Sequence, residues 1–214
     1  MVDYKISLVI FKIYRLYSYK NEIIYCGGII LTKTKLKTKS MILCSLFTAL
    51  IAIGAFIRIP LPVTVFSLQF TFVLLAGMLL GSKDGALSVL LYVVIGLIGF
   101  PIFTEGGGIG YILKPTFGYL VAFVFAAYIV GFTKEKFGTK SVVKLIAGCI
   151  FAMFITYFIG TLYTYFILKF VLHNPIPYWA CVASLFPFAF IKDLFSCFIV
   201  SLVGPRLLKI VNAN

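Results

Sequence analysis

"VVKLIAGCIFAMFITYFIGTLYTYFILKF", residues 142–170, carries no charge between Lys144 and Lys169. An apolar run of about 20 residues is what an α-helix needs to cross the ~30 Å hydrocarbon core of a bilayer. The run does not alternate, so it does not read as a barrel strand, and a lipid-embedded helix satisfies its own backbone polar groups. Similar runs recur along the chain. Spans are predicted over 41–57, 66–81, 84–100, 116–132, 142–170 and 180–204, giving an all-α integral membrane protein with six transmembrane helices. The composition agrees, with 62% hydrophobic and only 12% charged residues and a mean hydropathy of +1.12, against the usual apolar content of ~45–50% in soluble domains.

The formal net charge is +13, which in a soluble chain would suggest nucleic acid. Here the basic residues sit in short polar segments beside the spans, and the expected partner is membrane lipid, with no nucleic acid. Lys33, Lys35, Lys37, Lys39, Lys83, Lys134, Lys136, Lys140, Lys144, Arg206 and Lys209 fall on one side, and Arg58, Lys114 and Lys169 on the other. The side richer in Lys and Arg is the cytoplasmic one, which predicts both termini there in a multi-pass plasma-membrane protein.

Residues 1–40 read as a basic extension and 41–214 as the membrane domain. Within the extension, Ile6, Val9, Ile10, Ile13 and Tyr17 recur at helical spacing opposite Lys5, Lys12 and Arg15, the pattern of a helix lying on a membrane surface; the alternative is a dispensable extension. Lys12 and Arg15 interrupt any signal-peptide core, so no secretion signal is expected. The 5 cysteines include no CxxC pair and read as small buried hydrophobes. His173 stands alone, so neither a metal site nor a cofactor is expected. "TEGGGIG" (104–110) lacks the GK[ST] ending of a phosphate loop and reads as a flexible hinge. The chain therefore has no means of hydrolysing ATP, and energy for any uphill transport must come from an ion gradient or a partner.

Lys192 and Asp193, in "FPFAFIKDLFSC" (186–197), are the ionisable pair placed inside a span. Such groups cost about 2.5–3.5 kcal/mol each near mid-membrane and mark a functional cavity. Adjacent helical positions point about 100° apart, so the two are expected to line a pocket separately rather than pair on one face. There Asp193 accepts a ligand's N–H groups and Lys192 donates to its oxygens. The alternative has Lys192 snorkelling to the interface and Asp193 packing locally. In "KPTFGYL" (114–120), Pro115 opens a helix, and Lys114, Thr116 and the first backbone N–H groups suit a carboxylate. Ser45, Ala49 and Ala52 form a small-residue face on the first span, and Gly77 and Gly81 a GxxxG pair; both permit close helix approach, internal or by a partner.

Taken together, "ALIAIGAFIRIPLPVTVFSLQ", "LLAGMLLGSKDGALSVLLYVVIGLIGFPIF" and "KPTFGYLVAF" resemble the BioY family, the biotin-binding S components of energy-coupling-factor (ECF) transporters. The matching features are a first helix with small residues, a PLP…T…LQ loop, an LAG…LG…G hairpin, a YxxxGxxGxPxF turn and a PTxGYL helix start, in that order from about residue 41 onward.

The resemblance implies a non-enzymatic subunit that captures biotin from outside. It also implies docking on a transmembrane coupling protein with two ATP-binding subunits, so that ATP is bound only by partners. It implies substrate contacts from Gln69, Tyr92, Lys114, Thr116, Tyr119, Lys192 and Asp193, with Phe103, Tyr111 and Trp179 as further aromatic walls. Partner docking is implied for Ser45, Ala49 and Ala52. The chain departs from the family where Lys114 and Phe117 replace two glycines of GPTGGYL, and where Lys192 precedes Asp193 while Phe195 aligns with the family's usual lysine. A stand-alone vitamin permease is the competing transport reading. An intramembrane transferase is disfavoured, because the 6 acidic residues are scattered and only Asp193 is placed in a span.

Overall fold

The computed structural model describes residues 24–26, 29–31, 38–60, 65–139, 141–173, 176–184 and 188–212. The chain divides into two compact units, Met1–Ile42 and Leu43–Asn214. In the first, strands β1 (Ile24–Cys26) and β2 (Ile29–Leu31) pair antiparallel, with Ile24 opposite Leu31. The surface helix expected over Ile6–Tyr17 lies outside the described residues.

The second unit is helical. Helix α1 (Thr38–Phe56) enters it, and a small antiparallel pair follows, β3 (Arg58–Pro60) with β4 (Val65–Ser67). Next come α2 (Gln69–Leu80) and α3 (Ser82–Leu97), a 3-10 turn (Ile109–Leu113), then α4 (Phe117–Phe137) and α5 (Val142–Phe170). A short α6 (Tyr178–Ala183) precedes α7 (Phe188–Asn212).

Among the described helices, α4 and α5 are long and apolar enough to cross a membrane by length and composition alone. The span expected over 180–204 is divided between α6 and α7. Between α2 and α3 the chain breaks at Gly81, whose φ is 95°, and α3 starts at once with Ser82. That start is held from α4, because the Ser82 N–H and hydroxyl donate to the two carboxylate oxygens of Glu135, each at 2.7 Å.

The glycine pair answers one question left open by the sequence. A Cβ on Gly77 would stand 2.3 Å from the Ala127 carbonyl oxygen of α4, Gly85 of α3 rests against Gly77, and Gly131 of α4 rests against Gly81 and Ser82. The GxxxG pair is therefore an internal seam where α2, α3 and α4 approach backbone to backbone. Around the unit, large apolar side chains such as Phe125, Phe151, Phe154, Phe158, Ile199 and Leu202 point outward and stay exposed, while Thr48, Gln69, Ser88, Thr156, Thr161 and Ser201 are buried. Apolar outside and hydroxyl-bearing inside is the distribution that hydrocarbon solvent selects. The buried hydroxyls are satisfied locally, as where Thr48, Thr156 and Thr161 donate to the carbonyl one turn back.

Gly77→Leu is expected to destabilise the unit by about 1–3 kcal/mol, since the seam has no room for a side chain. A lowered unfolding temperature of the purified variant in detergent checks this, and an unchanged one would place the seam elsewhere.

Candidate functional site

Where α7 begins, Lys192 and Asp193 turn inward and are met by groups from two other elements. Lys192 Nζ donates to the Ser67 carbonyl at the end of β4 (2.5 Å) and lies 2.5 Å from Asp193 Oδ1. The other carboxylate oxygen, Oδ2, accepts the Tyr157 hydroxyl of α5 at 2.7 Å. The expectation that adjacent positions would not pair is thus corrected: the four-carbon lysine stem spans the angle between them and brings its ammonium back onto the carboxylate. Both groups are withdrawn from solvent, with side-chain exposures of 15% and 8%. A turn further on, Ser196 and Thr71 share a 2.6 Å hydrogen bond that ties α7 to α2.

These groups stand in one partly open cavity between α2, α4, α5 and α7. Polar lining comes from Ser67, Gln69, Thr104, Thr116, Thr156 and the Lys192–Asp193 pair, and apolar lining from Phe70, Leu120, Phe123 and Ala189. Phe70 and Phe123 face each other with ring centroids 5.8 Å apart. Tyr119 and Tyr157 complete the wall, Tyr119 because Gly160 on α5 leaves room for its ring. The Gln69 side chain and the Tyr119 hydroxyl are buried in this wall, Gln69 against Tyr92 and Tyr119 against Thr164.

Of the residues expected to bind substrate, the cavity brings together Gln69, Thr116, Tyr119, Lys192 and Asp193. Tyr92 and Lys114 are placed elsewhere. Tyr92 is fully buried behind the wall, where it donates to the Ile102 carbonyl at 2.9 Å and meets Phe103 edge-on at 5.4 Å. Phe103 in turn packs on Tyr111 at 4.6 Å, in a space that Gly96 leaves open. Phe103 and Tyr111 are therefore a layer beneath the site, and Trp179, 78% exposed, is outside it.

The carboxylate expected for Lys114 is met inside the protein. Its Nζ sits 3.3 Å from Glu105 Oε2 and donates to the Glu105 carbonyl at 2.9 Å. The glycines of 104–110 form a fastened turn rather than a loose hinge, since Phe103 and Gly106 bond reciprocally and the Gly108 N–H donates to the Gly96 carbonyl at 2.7 Å. Sequence reasoning missed Tyr157, Thr104 and Thr156. A signal existed for α5, where Thr156, Tyr157, Gly160, Thr161 and Thr164 form a polar, small stripe on an otherwise Phe- and Ile-rich helix.

A family model described as "BioY family" matches residues 32–213. A "Biotin transporter BioY" of Thermotoga maritima is 35% identical over 80% of this chain and 97% of its own length. A "Probable biotin transporter BioY" of Lysinibacillus sphaericus is 45% identical over 60% of this chain, and the match spans 65% of that relative. Among solved structures, "the S-component for biotin from an ECF-type ABC transporter" superposes with a TM-score of 0.70 at 28% identity, covering 84% of this chain and 95% of that one.

Lys192→Met leaves the Asp193 carboxylate buried without its counter-charge and is expected to cost about 3–5 kcal/mol of stability. Adding Asp193→Asn in the same chain should recover most of that loss. Thermal unfolding of the parent and both variants checks the pairing, and an undisturbed single variant would contradict it.

Proposed function

Because the chain belongs to the BioY family, we propose that it is the biotin-binding S component of an ECF-type ABC transporter, which takes up biotin from outside for delivery to the cytoplasm. The observation that carries this reading is the buried Lys192–Asp193 pair, presented in a cavity whose remaining walls are aromatic or neutral. Biotin's ureido ring has one carbonyl oxygen and two N–H groups. A lysine ammonium beside a carboxylate offers the complementary donor and acceptor side by side. Asp193 has lone pairs beyond those used by Lys192 and Tyr157, so ligand N–H groups add to the arrangement without dismantling it. The apolar bicyclic body then lies against Phe70, Leu120 and Phe123. This is the chemistry of capture and release, and the chain is a transport component rather than an enzyme.

In this reading α1, α2, α3, α4, α5 and α7 cross the plasma membrane, with α2 and α3 as a short hairpin, and both termini lie in the cytoplasm. Energy comes from ATP bound on partners, a transmembrane coupling protein with two ATP-binding subunits. The docking face is the small-residue face of α1, where Ser45 and Ala49 are exposed and Ala52 half-buried. The glycine seam is used up inside the molecule, whereas this face is open to a neighbouring helix.

Asp193→Asn replaces an ionised acceptor by an amide of the same size. It should lower biotin affinity by about 1.5–3 kcal/mol, roughly ten- to a hundredfold, with desthiobiotin, which keeps the ureido group, losing as much. Titration calorimetry on the purified protein measures both, and unchanged affinity in the folded variant would remove Asp193 from the site. Ala49→Trp should leave biotin binding intact and abolish ATP-driven biotin uptake in cells that also make the coupling module. Undiminished uptake would move the docking face off α1.

A further inference from the structure

Helices α4 and α5, the two described helices long and apolar enough to cross a membrane, are joined at a corner where Phe137 ends α4 and Val142 begins α5. Two lysines are gathered there on one ring. Lys136 Nζ lies 5.5 Å from the Phe137 centroid and Lys144 Nζ 4.8 Å from it, and Lys136 is also 5.9 Å from the Phe132 centroid. Among the described residues neither ammonium has an ion pair. The adjacent acid is committed elsewhere, since both carboxylate oxygens of Glu135 accept from Ser82. Away from the corner an apolar strip runs along α4. Phe132 stands 48% exposed with its ring stacked at 6.3 Å on Tyr128, which is 47% exposed, and Phe125 follows at 50%.

We propose that this corner is a binding site for one anionic phospholipid, whose phosphodiester sits at Lys136 and Lys144 while an acyl chain lies along Phe132, Tyr128 and Phe125. An ammonium resting on a ring face is attracted by the ring and keeps N–H donors free on its other sides. Sharing Phe137 therefore holds two positive charges near each other at the end of a membrane helix, the level at which headgroups lie. Like charges kept this close without an acid between them favour an anion that both can reach. The negative end of the α4 dipole helps to keep Lys136 there. Basic groups just outside a span attract anionic headgroups, and that attraction is confined to about a Debye length. A zwitterionic lipid brings its own ammonium to the same place and loses most of the gain. What sets this corner apart from the other basic residues of its side is the shared ring and the exposed apolar strip beside it. The site uses the placement of α4 and α5 in the membrane and is independent of what the cavity binds.

The test counts lipids retained on the purified full chain by native mass spectrometry from detergent, with phosphatidylglycerol and phosphatidylcholine of the same acyl chains titrated in turn. The parent should bind one phosphatidylglycerol in preference to phosphatidylcholine. Lys136→Gln with Lys144→Gln should weaken phosphatidylglycerol about tenfold and leave phosphatidylcholine unchanged. Lys83→Gln with Lys209→Gln removes the same charge from the same side and should leave the preference intact. The site is overturned if the parent shows no preference, if the preference survives in the Lys136 and Lys144 variant, or if both double variants lose it equally, which would assign it to the summed charge of that side. Displacement of the lipid by millimolar inorganic phosphate at constant ionic strength would make this a free-phosphate site and would equally overturn the lipid assignment. Biotin is absent throughout, so the outcome leaves the biotin reading where it stands.

Discussion

An ammonium and a carboxylate sequestered inside an apolar helical unit have to be matched to each other, and the rest of the site follows from how this chain matches them. Lys192 and Asp193 are consecutive, so only a lysine curled back along its own helix closes the pair, and that posture leaves the ammonium's other protons to be placed. One goes to the Ser67 carbonyl, which fixes the end of β4 over α7. The Tyr157 hydroxyl takes the second carboxylate oxygen and fixes α5 against α7. Removing any one of these groups would leave another buried and unpaired, a larger cost than the net gain of forming the bond.

The same economy of side chains explains the helical frame. α2, α3 and α4 meet through Gly77, Gly85 and Gly131, with no side chain between the backbones, while Gly160 admits the Tyr119 ring between α4 and α5. Close approach on the glycine side leaves bulk for the opposite side, where Phe70 and Phe123 line the cavity. The aromatic series Tyr92, Phe103 and Tyr111 extends this packing outward to the segment that carries Thr104 and Thr116. The cavity is thus shaped by where side chains are missing as much as by where they are present.

Much of this was legible in the residues. The run of 142–170, uncharged between Lys144 and Lys169, is α5 from end to end, because length and hydropathy decide such a helix. Lys192 and Asp193 were visible as the ionisable pair inside an apolar run, and the PTFGYL start of α4 placed Thr116 and Tyr119. What escaped depends on contacts between distant segments. The division of 180–204 into α6 and α7 leaves no mark in hydropathy. That Lys114 meets Glu105 and that Tyr92 turns away from the cavity depend on how the 98–116 segment folds over the helix ends. Tyr157 is one aromatic among many along α5, and only the fold sets it opposite Asp193. The pairing of Lys192 with Asp193 was misjudged because the angle between Cβ atoms says little about where a flexible four-carbon stem ends.

The most direct test of the central claim, that the buried pair belongs to a biotin pocket, is equilibrium binding of labelled biotin to the purified, folded protein. The account predicts saturable binding of one biotin per chain with Kd below about 1 μM, a free energy beyond about −8 kcal/mol, displaced by unlabelled biotin. Absence of saturable binding in that range would contradict it.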